Sequence, residues 1–212
     1  MTDLKMTLPF LLLLAMASPV LAQTTDDGTT TEATTDGDAE PAPDALALSM
    51  GQADAQVGDV YIDAIHGDWE VRCIKAPEGT ADPCQIYQLL TDPSGNAIAE
   101  INIFPIGGEG QPAAGATIIT PLETLLTQQL GMSVDGGPAK KYPFSWCSQV
   151  GCFSRVGFSE AEVAGFKRGI NATLTIVPVA AADQTVNLKV SLKGFTAGFN
   201  DVRDRTTVAP EE

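Results

Sequence analysis

Four cysteines are the residues in this sequence with the clearest capacity for chemistry: Cys73, Cys84, Cys147 and Cys152. A redox pair usually has two residues between its cysteines, and a four-cysteine zinc site usually has two short pairs. Here the first two cysteines are separated by ten residues and the last two by four. We therefore interpret the cysteines as two structural disulfides of an exported chain, with thiol-redox chemistry as the alternative.

Three pairings of these cysteines are possible, and we expect the local one, Cys73–Cys84 with Cys147–Cys152. Each of these pairs brackets a single chain reversal. Residues 142–153 predict a hairpin in which one strand ends near Cys147 and the next leaves from Cys152. Facing residues of such a hairpin lie roughly 4.5–5.5 Å apart between Cα atoms, which a disulfide can bridge. A cross-link of this kind stabilises a domain but is not an activity.

The single histidine, His66, could act in a hydrolytic triad with Asp63, Asp68 or Asp135 and a serine. No serine lies in a Gly-x-Ser-x-Gly elbow, however, and His66 stands in a loop just before a strand. We therefore expect a turn histidine with local hydrogen bonds. A single histidine also disfavours most transition-metal sites, and we expect no metal.

Carboxylate pairs and glycine-rich loops offer two further kinds of site. Glu70, Glu100 and Asp135 are candidates for sugar hydrolysis, but each falls on a polar strand face or in a turn, where a solvated side chain is expected. The run Gly107-Gly-Glu-Gly110 does not open a helix after a strand, and Glu109 would repel a phosphate. We predict a mobile loop there and no cofactor.

The best candidate for a contact surface is an aromatic pair beside the second cysteine pair. Trp146 has the opposite strand parity to Cys147, so Trp146 and Phe144 are expected to point outward together. Exposed aromatic side chains are typical of binding surfaces. Trp69, in the strand of Cys73, is instead expected to pack in the core against a disulfide.

The chain divides into four predicted segments. Residues 1–22 have a short polar start with Lys5, an apolar run of about ten residues and a Val-Leu-Ala end, as in a secretory signal peptide. Residues 23–59 predict a disordered, Thr-rich acidic tail. Residues 60–203 form the ordered domain, and 204–212 a flexible end. No later stretch is long enough to span a membrane, so none is expected after signal cleavage.

Charge separates the tail from the domain. The formal net charge of −15 comes largely from residues 23–59, which contain nine Asp or Glu and no Lys or Arg. The domain is only mildly acidic and has no basic stripe that could neutralise phosphates. Nucleic acid is therefore not an expected partner.

Alternating apolar positions predict a mostly β domain. Residues 69–73, 84–90, 97–104, 170–176 and 186–192 are expected strands, with a turn at 92–95 and a loop at 107–115. Residues from Thr120 predict either a short helix or a loop leading into a strand at 132–135. The clearest helix starts after Ser159, with Glu162 completing a capping box, Val163 and Phe166 facing in and Gly169 ending it. Seven or eight strands favour an all-β sandwich, and an open sheet under this helix is the alternative.

Several short motifs resemble the invasion-associated locus B family of bacterial envelope proteins. They are Gly67-Asp-Trp-Glu-Val-Arg-Cys73, Cys84-Gln85, Trp146-Cys147, Gly151-Cys152 and Leu192-Lys-Gly-Phe195. The resemblance covers about residues 65–202. It implies an immunoglobulin-like antiparallel β-sandwich, a periplasmic or secreted location in a Gram-negative bacterium and a virulence-related role. It carries over no catalytic residue. The acidic tail and the loop at 107–115 go beyond the family pattern.

These observations lead to one functional hypothesis and two alternatives. The leading hypothesis is an exported, non-catalytic envelope or surface protein that binds an envelope or host protein or a glycan. A periplasmic thiol-redox or hydrolytic enzyme is the second hypothesis. The third is a structural envelope component whose acidic tail serves as a spacer.

Overall fold

A computed structural model describes residues 54–207. The predicted signal peptide, most of the predicted acidic tail and the last five residues lie outside the described residues. Eleven β-strands and two α-helices make up the described part. The strands are β1 (Val60–His66), β2 (Trp69–Ile74), β3 (Cys84–Thr91), β4 (Ala97–Pro105), β5 (Ala114–Thr120), β6 (Leu130–Val134), β7 (Lys140–Tyr142), β8 (Trp146–Ser148), β9 (Gly151–Phe158), β10 (Asn171–Ile176) and β11 (Val186–Ser191). The helices are α1 (Glu160–Arg168) and α2 (Phe195–Thr207).

The strands form two antiparallel sheets that share one core. The larger sheet has the order β1-β2-β3-β4-β5-β9-β8, and the smaller sheet has the order β11-β10-β6-β7. Apolar side chains of the two inner faces meet with those of α1 and α2 in a single buried cluster. The predicted antiparallel β-sandwich with one or two short helices is therefore confirmed.

Strand periodicity accounts for which side chains enter this core. In β2, Trp69, Val71 and Cys73 are fully buried, while the alternate residues Glu70 and Arg72 point out of the sandwich. In β10, Ala172, Leu174 and Ile176 are likewise buried. Ile170, expected in the same row, instead lies before the strand and is 74% exposed.

Helix α1 follows the capping signal in the sequence. The Ser159 side chain accepts a hydrogen bond from the Glu162 backbone N–H, and the Glu162 side chain accepts one from the Ser159 backbone N–H. Val163 and Phe166 are buried against the core, and Gly169 ends the helix. The predicted start, buried face and end of this helix are all confirmed.

The segment before β6 follows the second of the two predicted alternatives. Thr120 does not cap a helix, because it ends β5 and its buried hydroxyl donates to the Cys152 carbonyl at 3.3 Å. A loop with a short 3-10 helix, Leu126–Gln128, then leads into β6. The predicted loop at 107–115 is shorter than expected, because β5 already begins at Ala114.

Helix α2 and strands β1 and β5 are elements that the sequence pattern did not reveal, and His66, expected in a loop, is the last residue of β1. Helix α2 packs on β1 to β4 and on α1, and Phe195, Phe199 and Val202 on it are buried. It continues to Thr207, past residue 203, where the domain was expected to end. Helix α2 covers the part of the larger sheet's inner face that the smaller sheet does not cover. Among residues 54–207, the outer face of the larger sheet has no element packed on it.

Candidate functional site

The cysteines form two local disulfides, Cys73–Cys84 and Cys147–Cys152. The Cα atoms of the two pairs are 4.1 and 4.0 Å apart, because each pair stands directly opposite across two antiparallel strands. Neither pair leaves a free thiol. The second bond closes the hairpin of β8 and β9 at the edge of the larger sheet.

His66 lies in a charged network that is not a hydrolytic triad. Its Nε2 atom is 2.8 Å from Asp201 Oδ2 on α2, so the prediction that His66 makes local hydrogen bonds is wrong. Arg205 donates to Asp201 at 2.7 Å and pairs with Asp63 at 2.6 Å. The Arg205 guanidinium and then His66 hold the pKa of Asp201 below its usual range. The network ties β1 to α2, a structural role.

The three carboxylates considered for sugar hydrolysis each have a structural partner. Glu70 accepts from Arg72 at 2.8 Å, and Glu100 accepts from the Tyr87 hydroxyl at 3.2 Å. Asp135 accepts from the backbone N–H groups of Ile170 and Asn171. Among residues 54–207, no group of His, Cys, Asp and Glu side chains is arranged to hold a metal ion.

The outer face of the larger sheet is the most unusual surface of the described region. Of twelve exposed large apolar side chains between residues 54 and 207, seven lie on this face or at its edge. They are Val60, Ile62, Ile65, Ile74, Leu89, Trp146 and Val150. The outer face of the smaller sheet presents Ser133, Thr173, Thr175, Asn187 and Lys189 instead. Only the larger sheet therefore has an apolar outer face, and an exposed apolar patch on a folded domain is typical of a binding surface.

At one end of this face, five apolar side chains form what we call the hairpin patch: Leu89, Ile119, Trp146, Val150 and Phe153. All of them except Val150 lie in one row across the sheet, which Glu100 interrupts. The register of the strand pairs gives the order of this row as Trp146, Phe153, Ile119, Glu100 and Leu89. Val150, in the turn of the stapled hairpin, borders the same row and is 79% exposed. Leu89, Ile119 and Val150 line a hollow of about 200 Å³.

The predicted aromatic pair is only partly brought together. Trp146 is 47% exposed, as a contact residue should be, but its ring stacks on Phe153, with centroids 4.9 Å apart and planes at 10°. Phe144 is half-buried and packs against the core. Phe144 and Trp146 border a separate hollow of about 220 Å³. Phe153 was not identified as a patch residue, although the pairing of Cys147 with Cys152 places it opposite Trp146 in the hairpin. Ile119 was not identified because that required β5 and its register.

The middle of the outer face is polar and internally paired. The Arg72 guanidinium lies 3.2 Å from the Tyr87 ring centroid and donates to Glu70. Burial, followed by the nearby Glu100 carboxylate, raises the pKa of Tyr87. Arg155 on β9 is exposed, and no salt bridge to it is found among residues 54–207. Apolar patches thus flank a central polar band.

Together, the fold and the site define a disulfide-stapled antiparallel β-sandwich with an apolar face on its larger sheet. The model of the Invasion associated locus B (IalB) protein family matches residues 69–203, and the chain belongs to this family. The crystal structure of invasion associated protein B from Bartonella henselae is similar, with a TM-score of 0.58 and 19% sequence identity. The match covers 68% of this chain and 96% of that one, and it supports the fold. No curated protein matches the chain.

Proposed function

We propose that this protein is an exported, non-catalytic binding protein of the bacterial envelope and that its hairpin patch contacts an apolar surface of another protein. The single observation that carries the proposal is the apolar row from Trp146 to Leu89 with Val150 beside it. Burying such side chains at an interface removes apolar surface from water, which favours association by roughly 25 cal/mol per Å². The excess of acidic residues in 23–59 is compatible with this role.

The patch is rigid enough to bind without large loss of conformational freedom. The Cys147–Cys152 bond closes the hairpin, and the Trp146 ring is held flat on Phe153. The hydroxyl of Ser154 donates to the Pro143 carbonyl at 2.8 Å, which fixes the segment entering the hairpin. A surface already held in its binding conformation loses less entropy when a partner is bound.

A protein partner fits the patch better than a glycan. Sugar hydroxyls need several polar side chains close to a stacking ring, and Glu100 is the one charged side chain in the row. The oxidised cysteines and the predicted signal peptide support a periplasmic or secreted location. No helix between residues 54 and 207 is long and apolar enough to cross a membrane.

A matched pair of single substitutions tests this proposal. Val150→Asn changes the patch, and Ile170→Asn changes a residue of similar exposure, 74% against 79%, outside the outer face. Each purified mature variant is immobilised, and the amount of each envelope protein captured is measured against protein concentration. We expect Val150→Asn to weaken capture by about tenfold, since a buried Val side chain contributes about 1.5 kcal/mol or more. Ile170→Asn should match the wild type, and equal capture by both variants would contradict the proposal.

A further inference from the structure

We propose that the outer face of the larger sheet packs against the same face of a second copy of this chain, forming a two-fold symmetric dimer. The inference rests on the proposed function, because it uses the same face and names one partner for it. The two-fold axis runs parallel to the strands and passes close to Asn102 on the central strand β4. The size, the charge and the residue order of the face support this arrangement.

The size of the face suits a dimer of ordinary affinity. Seven strands at about 4.8 Å spacing make the face about 30 Å wide, and strands of about seven residues make it about 20 Å long. Two such faces would bury about 1,200 Å² in total, at the lower end of the range for specific interfaces. The apolar residues at both edges of the face, Ile62 and Ile65 on β1 and Trp146 and Phe153 on β8 and β9, fall inside this area.

The charge of the face permits two acidic chains to meet. The formal net charge of −15 comes largely from residues 23–59, but the domain is also mildly acidic, so two copies carry like net charges that repel each other weakly. The strands contribute Glu70, Arg72, Glu100 and Arg155 to the outer face, and these four charges sum to zero. A second copy can therefore approach this face without the repulsion that acts elsewhere.

The residue order across the face is complementary to itself. One row reads Arg155, Thr117, Asn102, Tyr87, Glu70 from β9 to β2, as the register of each strand pair shows. A two-fold axis parallel to the strands near Asn102 reverses this order in the facing sheet. Arg155 then faces Glu70 of the second copy, and Glu70 faces Arg155 of the second copy, as an isologous interface requires. In the neighbouring row, Ile119 faces Leu89 of the second copy.

One contact in this arrangement is unfavourable. Glu100 lies on the central strand, so each Glu100 carboxylate faces its own counterpart across the axis. The Tyr87 hydroxyl donates to it at 3.2 Å and offsets the repulsion only in part. Removing this charge should strengthen the dimer, whereas reversing the charge of Arg155 should weaken it.

Analytical ultracentrifugation of the mature chain tests the dimer over concentrations from about 1 to about 300 µM. Arg155→Glu should raise the dimer dissociation constant at least about tenfold, and adding Glu70→Lys should restore most of the affinity. Glu100→Gln should lower the constant by about threefold or more. Lys189→Glu is the matched control, because it makes the same charge change on the outer face of the smaller sheet. Circular dichroism melting verifies that each variant is folded.

Two outcomes would overturn the dimer: the intact chain stays monomeric throughout, or Arg155→Glu and Lys189→Glu weaken association equally. If the intact chain is monomeric, a variant lacking residues 23–53 identifies the cause, because dimerisation of that variant would mean that the N-terminal segment prevents association. Failure of the proposed function is distinguishable, because capture is compared at concentrations below the dimer dissociation constant, where unchanged capture by Val150→Asn contradicts the patch without bearing on the dimer.

Discussion

Trp69 and Phe195 meet edge to face in the centre of the domain, with ring centroids 5.5 Å apart and ring planes at 71°. Both side chains are fully buried. The Trp69 indole N–H donates to the Ser191 carbonyl at 2.8 Å, so the ring is fixed by a hydrogen bond as well as by packing. Trp69 lies in the motif Gly67-Asp-Trp-Glu-Val-Arg-Cys73, and Phe195 ends the motif Leu192-Lys-Gly-Phe195. These motifs, which carry the family resemblance, therefore hold the fold together.

Phe195→Ala should destabilise the domain by about 3–5 kcal/mol, the usual cost of truncating a buried aromatic side chain. Phe195 also contacts Phe166 and Phe199, so its loss leaves a cavity that several rings line. Urea unfolding followed by near-ultraviolet circular dichroism measures the change. Phe153→Ala, which alters a half-buried ring on the outer face, is the control and should cost clearly less. Equal costs would contradict a central role for the Trp69–Phe195 contact.

Gly194→Ala should destabilise the domain by at least about 2 kcal/mol, because two separate effects add. Gly194 has a φ of +88°, which L side chains rarely adopt, and a Cβ atom there would overlap the His66 carbonyl oxygen. Gly165→Ala is the matched control, since a Cβ atom at Gly165 meets no atom within 4 Å and the residue lies inside α1. That control should stabilise the domain by about 0.5–1 kcal/mol. Thermal melting of both variants checks the opposite signs.

Local signals in the sequence predicted local structure well. The facing cysteines, the capping box at Ser159 and the alternation in β2 and β10 are each defined within a few residues, and the structure contains them. Helix α2 was missed because the sequence shows no capping signal there, and because Gly194 just before it and Gly198 within it are typical of turns. Gly198 is needed where α2 approaches Ile86, and a Cβ atom there would lie 3.0 Å from the Ile86 side chain.

The candidate site was predicted less completely than the fold. Trp146 was identified from its parity in the hairpin, which is a local property. The hairpin patch also needs Leu89 and Ile119, which come from β3 and β5 and meet Trp146 only through the order of strands in the sheet. The bond from His66 to Asp201 spans 135 residues and was not predictable for the same reason. Side-chain neighbours set by tertiary packing are not encoded in any short stretch of sequence.

Removing each disulfide should have a local and separate effect. Replacing both Cys147 and Cys152 with Ala should lower the free energy of unfolding by about 2 kcal/mol. Replacing both Cys73 and Cys84 should lower it by about 3 kcal/mol, because the Cys73–Cys84 bond closes the longer loop. Hydrogen exchange of backbone amides should accelerate in residues 146–153 for the first variant and around β2 and β3 for the second. Each variant is the control for the other, and uniform acceleration across the domain in either would contradict local stapling.

The first variant should also weaken partner capture, because the hairpin that presents Trp146 and Val150 is no longer closed. The patch residues themselves stay unchanged, so any loss reports on the rigidity of the hairpin. The Cys73/Cys84 variant should retain capture at temperatures where it is still folded. Capture at wild-type level by the Cys147/Cys152 variant would show that the closed hairpin is not required.

Acid should destabilise the domain through Glu162 in a defined pH range. Partial burial acts to raise the pKa of Glu162, but hydrogen bonds from Ser159, Lys140 and Tyr142 outweigh it and lower the pKa to about 2 from 4.5. A carboxylate whose pKa is lower in the folded chain than in the unfolded chain stabilises the fold. This stability is fully present above the pKa of the unfolded state and is lost as the pH falls toward the pKa of the folded state. Between about pH 4.5 and pH 2, the wild type should therefore lose up to about 3 kcal/mol through this residue.

Glu162→Gln should remove this pH dependence along with the stability it provides at neutral pH. Glu160→Gln is the matched control, because both residues lie in the first turn of α1 and share its favourable interaction with the helix dipole. Only Glu162 also accepts from the Tyr142 hydroxyl at 2.7 Å and pairs with Lys140 at 2.9 Å. Urea unfolding at pH 7 and at pH 3 should show a smaller difference for Glu162→Gln than for the wild type, and an unchanged difference for Glu160→Gln. Equal behaviour of the two variants would mean that the helix dipole alone, and not the contact between α1 and β7, sets the acid sensitivity.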